Sequence, residues 1–442
     1  MWICTRKTVG HCAELQAAGS NSLEVSGTSD RTGVLDSIEG NWDTRQARSG
    51  RLPWNRMRIL HVIGTVDPAS GGPSEVVRVL VGFKPPATEV EVVTLDNPQS
   101  EFLERMTFPV HALGPVQSTY GYTRKLLPWL TENRDRFDGV VVHGLWQYCT
   151  RAVHKAMHGR VPYMVFPHGM LDPYFKKSFP IKHLKKWAYW LAVEYSVLRD
   201  ADRVLFTTQT EQELARQSFW LHRWKGEVVP FGTVPPQGNP DRQREIFYDA
   251  CPEARGRRLL LFLGRIHPKK GCDMLLDAFV AAAARHPELD LVMAGPDPQS
   301  WRAQLERRAW VAGVDTRVHW PGMLLGDAKW GAFRAAEAFI LPSHQENFGI
   351  AVAEALACGK PVLLSDKVNT AADIAMDGAG LIESDTPEGT ARLIASWLAM
   401  SEEERSAMGR RAAHCFEKRY DMRQGSMELT HLFERVAMRR RS

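Results

Sequence analysis

Apolar positions in this chain fall into short runs separated by amphipathic stretches, and the alternation occurs in two series. Arg58 is followed by Ile59, Leu60, Val62 and Ile63, closed by Gly64. A run of that length ending in a turn residue predicts a buried strand. Gly71, Gly72 and Pro73 then lead into SEVVRVLVGF, whose apolar residues at 76, 77, 79, 80 and 83 fit one helix face. Further strand-like runs occupy 90–95, 139–144, 162–169 and 203–208, with helical stretches including 184–199 and 210–219 between them. The segment 232–258 breaks the rhythm with clustered prolines and predicts a connection between domains. A second series follows, with strands at 258–264, 289–295, 316–322, 336–343 and 361–365 and helices between and after them. Strands spaced by helices imply parallel sheets covered on both faces. The expected architecture is α/β: two Rossmann-like domains facing across a cleft, with a ligand at the carboxyl ends of the strands.

The first 56 residues lack either period and are rich in Gly, Ser, Thr and Arg, whereas Met57 directly opens the first strand. The expected organisation is therefore a disordered extension over 1–56, a first domain over 57–235 and a second over 245–417. A last helix, 418–442, is expected to return to the first domain.

Composition narrows the class. Of 442 residues, 44% are hydrophobic and 24% charged, which excludes collagen-like, coiled-coil and largely disordered chains. The formal charge of +5 permits an anionic partner without requiring one. Seven scattered cysteines (4, 12, 149, 251, 272, 358 and 415) form no Cys-x-x-Cys pair, which favours reduced thiols and a cytoplasmic setting over a structural zinc site. No apolar run is long enough to span a bilayer as a helix, and the N-terminal stretch has no signal-peptide core.

The candidate chemistry sits where strands end. LPSHQENFGIAVAEALACGKPV carries Glu346 on a loop after a strand and Glu354 in the following helix. Eight residues of helix would separate the two by about 12 Å, too far to share a proton. A loop carboxylate beside helix N-terminal amides can instead bind hydroxyls and phosphate, and a helix carboxylate can chelate a diol. On composition alone, the plainer alternative is that Glu346 caps the helix and Glu354 faces solvent. FLGRIHPKKG places Arg265 and Lys270 at another strand exit, where two cations can meet a phosphate. VFPHGM puts His168 at a strand end, and His143 in VVHGLW repeats the His-Gly pattern. The Gly71-Gly72-Pro73-Ser74 loop would let backbone amides approach a ligand, although it is not a G-x-G-x-x-G dinucleotide signature.

Together, in this order, the E-x7-E segment in its PSxxENFG…EAxAxGxPV setting, the Gly-Arg…Lys-Gly element and the HG histidine resemble the retaining GT4 glycosyltransferases of GT-B fold. The resemblance runs from Met57 to about Tyr420. It implies an enzyme, a hexosyltransferase moving a sugar from a UDP- or GDP-sugar to a glycan or lipid-linked glycan, in exopolysaccharide or O-antigen-type assembly. It implies a donor site of Gly72, Arg265, Lys270, Phe348, Gly349, Ile350 and Glu354, with His168 and Glu346 at the reaction centre. The resemblance implies front-face substitution, in which Glu346 would orient the sugar hydroxyls and Glu354 would hold the ribose, with Glu346 as a covalent nucleophile the alternative. No cofactor and no metal are expected, the cations replacing a metal at the leaving diphosphate. A catalytically silent protein of the same fold, binding glycans or scaffolding a complex, is the alternative.

Residues Lys176–Trp190 hold five lysines, no acid, and Trp187, Tyr189 and Trp190. That mixture suits an anionic membrane surface, and equally a solvated helix with its aromatics in the core. No nucleic-acid signature accompanies it, so the expected partner is a membrane and not nucleic acid. The expected location is cytoplasmic, peripheral on the inner face of the membrane.

Overall fold

The structure, a computed structural model, describes residues 56–70, 72–174, 176 and 180–441. The extension expected over 1–56 falls outside the described residues except for Arg56, as do Cys4, Cys12 and Gly71.

Two parallel sheets organise the chain. The first contains β1 (Met57–Val62), β2 (Thr88–Thr94), β3 (Val110–Ala112), β4 (Gly139–His143), β5 (Tyr163–Phe166), β6 (Arg203–Phe206) and β7 (Gly226–Val228), in the order β3-β2-β1-β4-β5-β6-β7. The second contains β8 (Arg258–Leu263), β9 (Leu289–Ala294), β10 (Val318–Gly322), β11 (Ala338–Leu341), β12 (Val362–Ser365) and β13 (Gly380–Glu383), in the order β10-β9-β8-β11-β12-β13. Each is a Rossmann-like α/β domain. Both orders reverse direction once, between β1 and β4 and between β8 and β11. A crevice opens at such a reversal, because the helices after the two central strands leave towards opposite faces.

The near-continuous hydrophobicity of the central strands follows from burial on both faces. In β1, Ile59 packs in one cluster with Val77 and Leu80 of the helix Gly72–Gly82. Its neighbours Leu60 and Val62 join Val140, Val142 and Leu126 on the other side. Edge strands β3, β7 and β13 escape the sequence pattern because they are short and only half buried. The five described cysteines are free thiols.

The connection between sheets is shorter than the prolines of 232–258 suggest. A helix, Pro240–Ala250, begins inside it and ahead of the expected boundary at 245. Asn239 caps that helix by accepting from the Asp241 and Arg242 amides, and Pro240 takes the first-turn position where no donor is missed. The helix lies so close to the helix Gly326–Ala335 that a Cβ at Gly331 would fall 1.9 Å from the Gln243 carbonyl oxygen. Proline here starts an element of the second sheet's layer instead of ending one.

The chain passes between the sheets twice, and the passages run side by side. The Thr233 amide donates to the Tyr420 carbonyl, and the Met422 amide donates to that of Thr233, both at 3.0 Å. The helix Met422–Arg441 then packs on the first sheet. Its Phe433 ring covers the start of β4, where any side chain at Gly139 would collide with it. Arg440 at its far end pairs with Asp202 at 2.8 Å. Removing the buried Phe433 ring by Phe433→Ala should therefore cost about 3–5 kcal/mol of stability in urea denaturation, while loss of a merely surface helix would cost far less.

Candidate functional site

The loops after β8 and β11 flank the reversal in the second sheet, and they touch. Residues 264–271 make a short turn, Pro268–Lys270, closed by Gly271 at φ +67°. A Cβ at Gly271 would sit 2.1 Å from the Pro342 carbonyl oxygen, so a glycine is needed both for the left-handed backbone and for the close approach. The His344 amide donates to the Lys269 carbonyl at 2.9 Å across the same junction. Within this arrangement the Lys270 ammonium pairs directly with the Glu346 carboxylate, both largely withdrawn from solvent. Burial pushes the Lys270 ammonium below its usual range, and the neighbouring cations Lys269 and Arg265 push the same way. Arg265 stands exposed at the same strand exit.

Gly349 also requires its hydrogen. At φ +73° it starts the helix Ile350–Ala357, and a Cβ there would press to 3.2 Å from the Glu346 side chain. The Phe348 ring does not face this opening. It is buried edge-on against Phe231 (4.7 Å between centroids) and Tyr420 (5.7 Å), which pins the Glu346 loop to the two crossing passages. Phe348 as a donor contact is thus limited to its backbone.

Glu354 is buried in the first turns of that helix and does not face solvent. Lys329 of the helix Gly326–Ala335 donates to its carboxylate. Burial raises the Glu354 pKa, Lys329 opposes the shift, and Glu75 adds to it. Glu75 stands in the first turn of Gly72–Gly82, so the start of that first-sheet helix faces Glu354. Gly72 is exposed there with open space around it, and nothing in the fold itself demands glycine at that position.

His168 approaches from the first sheet. It follows β5 at φ +52°, a strained conformation for a side-chain-bearing residue, and Gly169 follows at +74°. The Gly169 amide donates to the buried carboxylate of Glu211 at 2.7 Å, and a Cβ on Gly169 would meet the Asn347 side chain at 2.7 Å. Three residues on, Asp172 accepts from the Gln345 amide side chain at 2.8 Å, and the Lys269 ammonium lies 5.6 Å over the Tyr174 ring. The loop after β5 therefore seats against both donor-side loops, bringing His168 and Glu346 to the same junction. His168 does not stand alone: His143 bonds it at 2.9 Å, and His61 of β1 bonds His143 at 2.9 Å.

Sequence patterns missed Lys329, Glu75, Glu211, Asp172, Gln345 and His61. Each acts through a partner far along the chain, which no local spacing reveals. The lysine-rich stretch divides. Trp190 is fully buried, stacked on Phe219 at 4.2 Å, whereas the helix Pro180–Tyr189 turns Ile181 and Leu184 to solvent beside Lys182 and Lys185. Lys177 lies outside the described residues. An Asp-x-Asp spacing does occur, at Asp200–Asp202 before β6, but Asp200 pairs with Arg199 and His154, and Asp202 with Arg440. No described helix is long and apolar enough to cross a membrane.

Comparison with known proteins fits this geometry. Residues 244–414 match the family described as glycosyl transferases group 1, and residues 71–232 match the glycosyl transferase 4-like domain. The chain belongs to the GT4-type glycosyltransferases, with the GT-B fold. A D-inositol 3-phosphate glycosyltransferase of Segniliparus rotundus is 31% identical over 232 residues, covering 50% of this chain and 49% of that protein. A mannosylfructose-phosphate synthase of Agrobacterium fabrum is 28% identical over 184 residues, 39% of each chain. The chain thus matches half or less of the length of these curated relatives. Among solved structures, Anabaena HepE in complex with UDP and glucose superposes with a TM-score of 0.68 at 17% identity, covering 86% of this chain and 100% of that one. A sucrose-phosphate synthase from Thermosynechococcus elongatus gives 0.66 at 21% identity, covering 86% and 99%.

Glu354 offers a test of the site's electrostatics. Lys329→Met would leave a buried carboxylate without its cation, raising its folded pKa further above the unfolded value. Stability of that variant should be lost as pH rises from the ordinary carboxylate range towards neutrality and regained on acidification, relative to the parent chain. A pH-independent deficit in denaturant titrations would mean that Lys329 contributes packing only.

Proposed function

We propose that the protein is a retaining glycosyltransferase that moves a sugar from a UDP- or GDP-sugar to a glycan or lipid-linked glycan, without a metal. The observation that carries this reading is the Lys270–Glu346 pair, with Gly169, the residue after His168, seated against Asn347, the residue after Glu346. The HepE structures with UDP and with UDP-glucose support a nucleotide-sugar donor.

In this reading the nucleoside diphosphate enters beside Lys270, which exchanges Glu346 for phosphate oxygens, with Arg265 as a second cation. As the anomeric carbon–oxygen bond breaks, charge grows on the departing diphosphate, and fixed cations favour that transition state. Glu346, released from its pair, orients the sugar hydroxyls. The acceptor oxygen attacks the same face from which the diphosphate leaves, and its proton passes to a diphosphate oxygen. The amides opening Ile350–Ala357 face the same space, and Glu354, bonded to Lys329, takes the ribose hydroxyls. The Asp200–Asp202 pair precedes β6, at the amino ends of the strands, and so lies away from the diphosphate in this reading.

His168 works at the sugar in this scheme and Glu354 at the nucleotide. In thermal-shift assays with UDP, GDP and ADP, one nucleotide should stabilise the protein. Glu354→Ala should weaken that binding, whereas His168→Ala should spare it and reduce transfer on the order of a hundredfold. The reverse pattern would exchange the roles of the two sheets.

Ile181, Leu184 and Leu191 are 74%, 70% and 57% exposed along one side of the lysine-rich stretch, and Trp220 nearby is 79% exposed. Large apolar side chains held out among lysines favour an anionic bilayer surface over a solvated face, and hence a peripheral position at the membrane. Sedimentation with vesicles containing anionic lipid should retain the protein, and Ile181→Ser with Leu184→Ser should release it without lowering thermal stability. Equal retention by the variant would remove this face from the membrane contact.

A further inference from the structure

The first sheet contains a row of three histidines that nucleotide-sugar transfer does not by itself require. His61 lies inside β1, His143 ends β4 and His168 follows β5. Nδ1 of His61 is 2.9 Å from Nε2 of His143, and Nδ1 of His143 is 2.9 Å from Nε2 of His168. The rings are near parallel, at 18° and 12°, and Phe166 stacks on His168 at 3°. Nδ1 of His168 forms no hydrogen bond among the described residues and is the open end of the row. His61 and His143 are buried, and burial depresses the basicity of all three rings, to about 3 at His61 and at His168.

A neutral imidazole has one N–H and one lone pair, and each bond in the row needs one of each. Three neutral rings bonded in this sequence must therefore share a tautomer. If every Nδ1 carries the proton, His168 offers an N–H at its open end. If every Nε2 carries it, His168 offers a lone pair there. The protonated nitrogen of a histidine is set by the hydrogen bond that its other nitrogen makes.

We propose that His143, backed by His61, is a positioning residue that holds His168 in a single neutral tautomer and so fixes the hydrogen-bonding polarity of the site at His168 Nδ1. The part of this inference that concerns the sugar rests on the proposed transferase reading. The tautomer itself does not. The row orients rather than conducts, because a proton passed inwards would end on His61, where burial disfavours charge.

The test is nitrogen NMR of histidine-labelled full-length protein, with resonances assigned from single substitutions. The row predicts that His61, His143 and His168 are all neutral and all in the same tautomer. Different tautomers among the three, or averaging at His168, would overturn the proposal. His143→Phe keeps a flat ring against Phe166 but removes both bonds. It should let His168 average between tautomers and lower kcat on the order of tenfold, with the nucleotide Kd unchanged and His143→Gln recovering part of the loss. An unaltered His168 tautomer in the Phe variant would also overturn it. If that variant fails to fold, the wild-type spectrum and His61→Gln, which still bonds His143, decide. Transfer with averaged tautomers would sink this inference and leave the transferase reading standing. Uniform tautomers without nucleotide binding would do the opposite.

Discussion

The ion pair between Lys270 and Glu346 depends on two loops lying closer than side chains would normally allow. Gly271 permits this, since it turns left-handed directly under the Pro342 carbonyl. Gly349 permits the next step by lying against Glu346 and starting the helix that carries Glu354. With those two approaches fixed, the cation, the loop carboxylate and the helix amides converge on the reversal between β8 and β11. Most of the remaining site is arranged around that junction. Phe348 locks its rear to the crossing passages, and the loop after β5 seats on its front through Asn347 and Gln345.

The pairing also resolves how two opposite charges are kept in a half-buried place. Taking an ion out of water costs several kcal/mol unless a partner compensates. Lys270 and Glu346 compensate each other, as Lys329 and Glu354 do. In the proposed function a diphosphate takes the place of Glu346 at Lys270, and a diol bonds Glu354 without displacing Lys329. Electrostatic preorganisation of this kind has its counterpart across the junction, where burial keeps His168 neutral.

Local pattern revealed what is built locally. The central strands, Glu346 with Gly349, and Lys270 before Gly271 all stand out because a strand end, a tight turn and a helix start lie within a few residues. His143 was visible as a second His-Gly step, but its bond to His168 was not. His61 looked like any strand residue, since its role depends on β4 lying beside β1. Lys329, Glu75 and Glu211 were hidden for the same reason: their partners lie 25, 279 and 42 residues away in sequence. Proline misled in one place, because Pro240 begins a helix behind an Asn239 cap instead of marking an extended connection.

The central claim is that the Glu346 carboxylate holds the place at Lys270 that a donor diphosphate takes. A crystal structure of the protein with whichever of UDP or GDP it binds tests this most directly. The account predicts the diphosphate at Lys270 and Arg265, the ribose hydroxyls at Glu354, and Glu346 parted from Lys270 and turned towards the space before His168. A nucleotide bound elsewhere, with the Lys270–Glu346 pair intact, would contradict it.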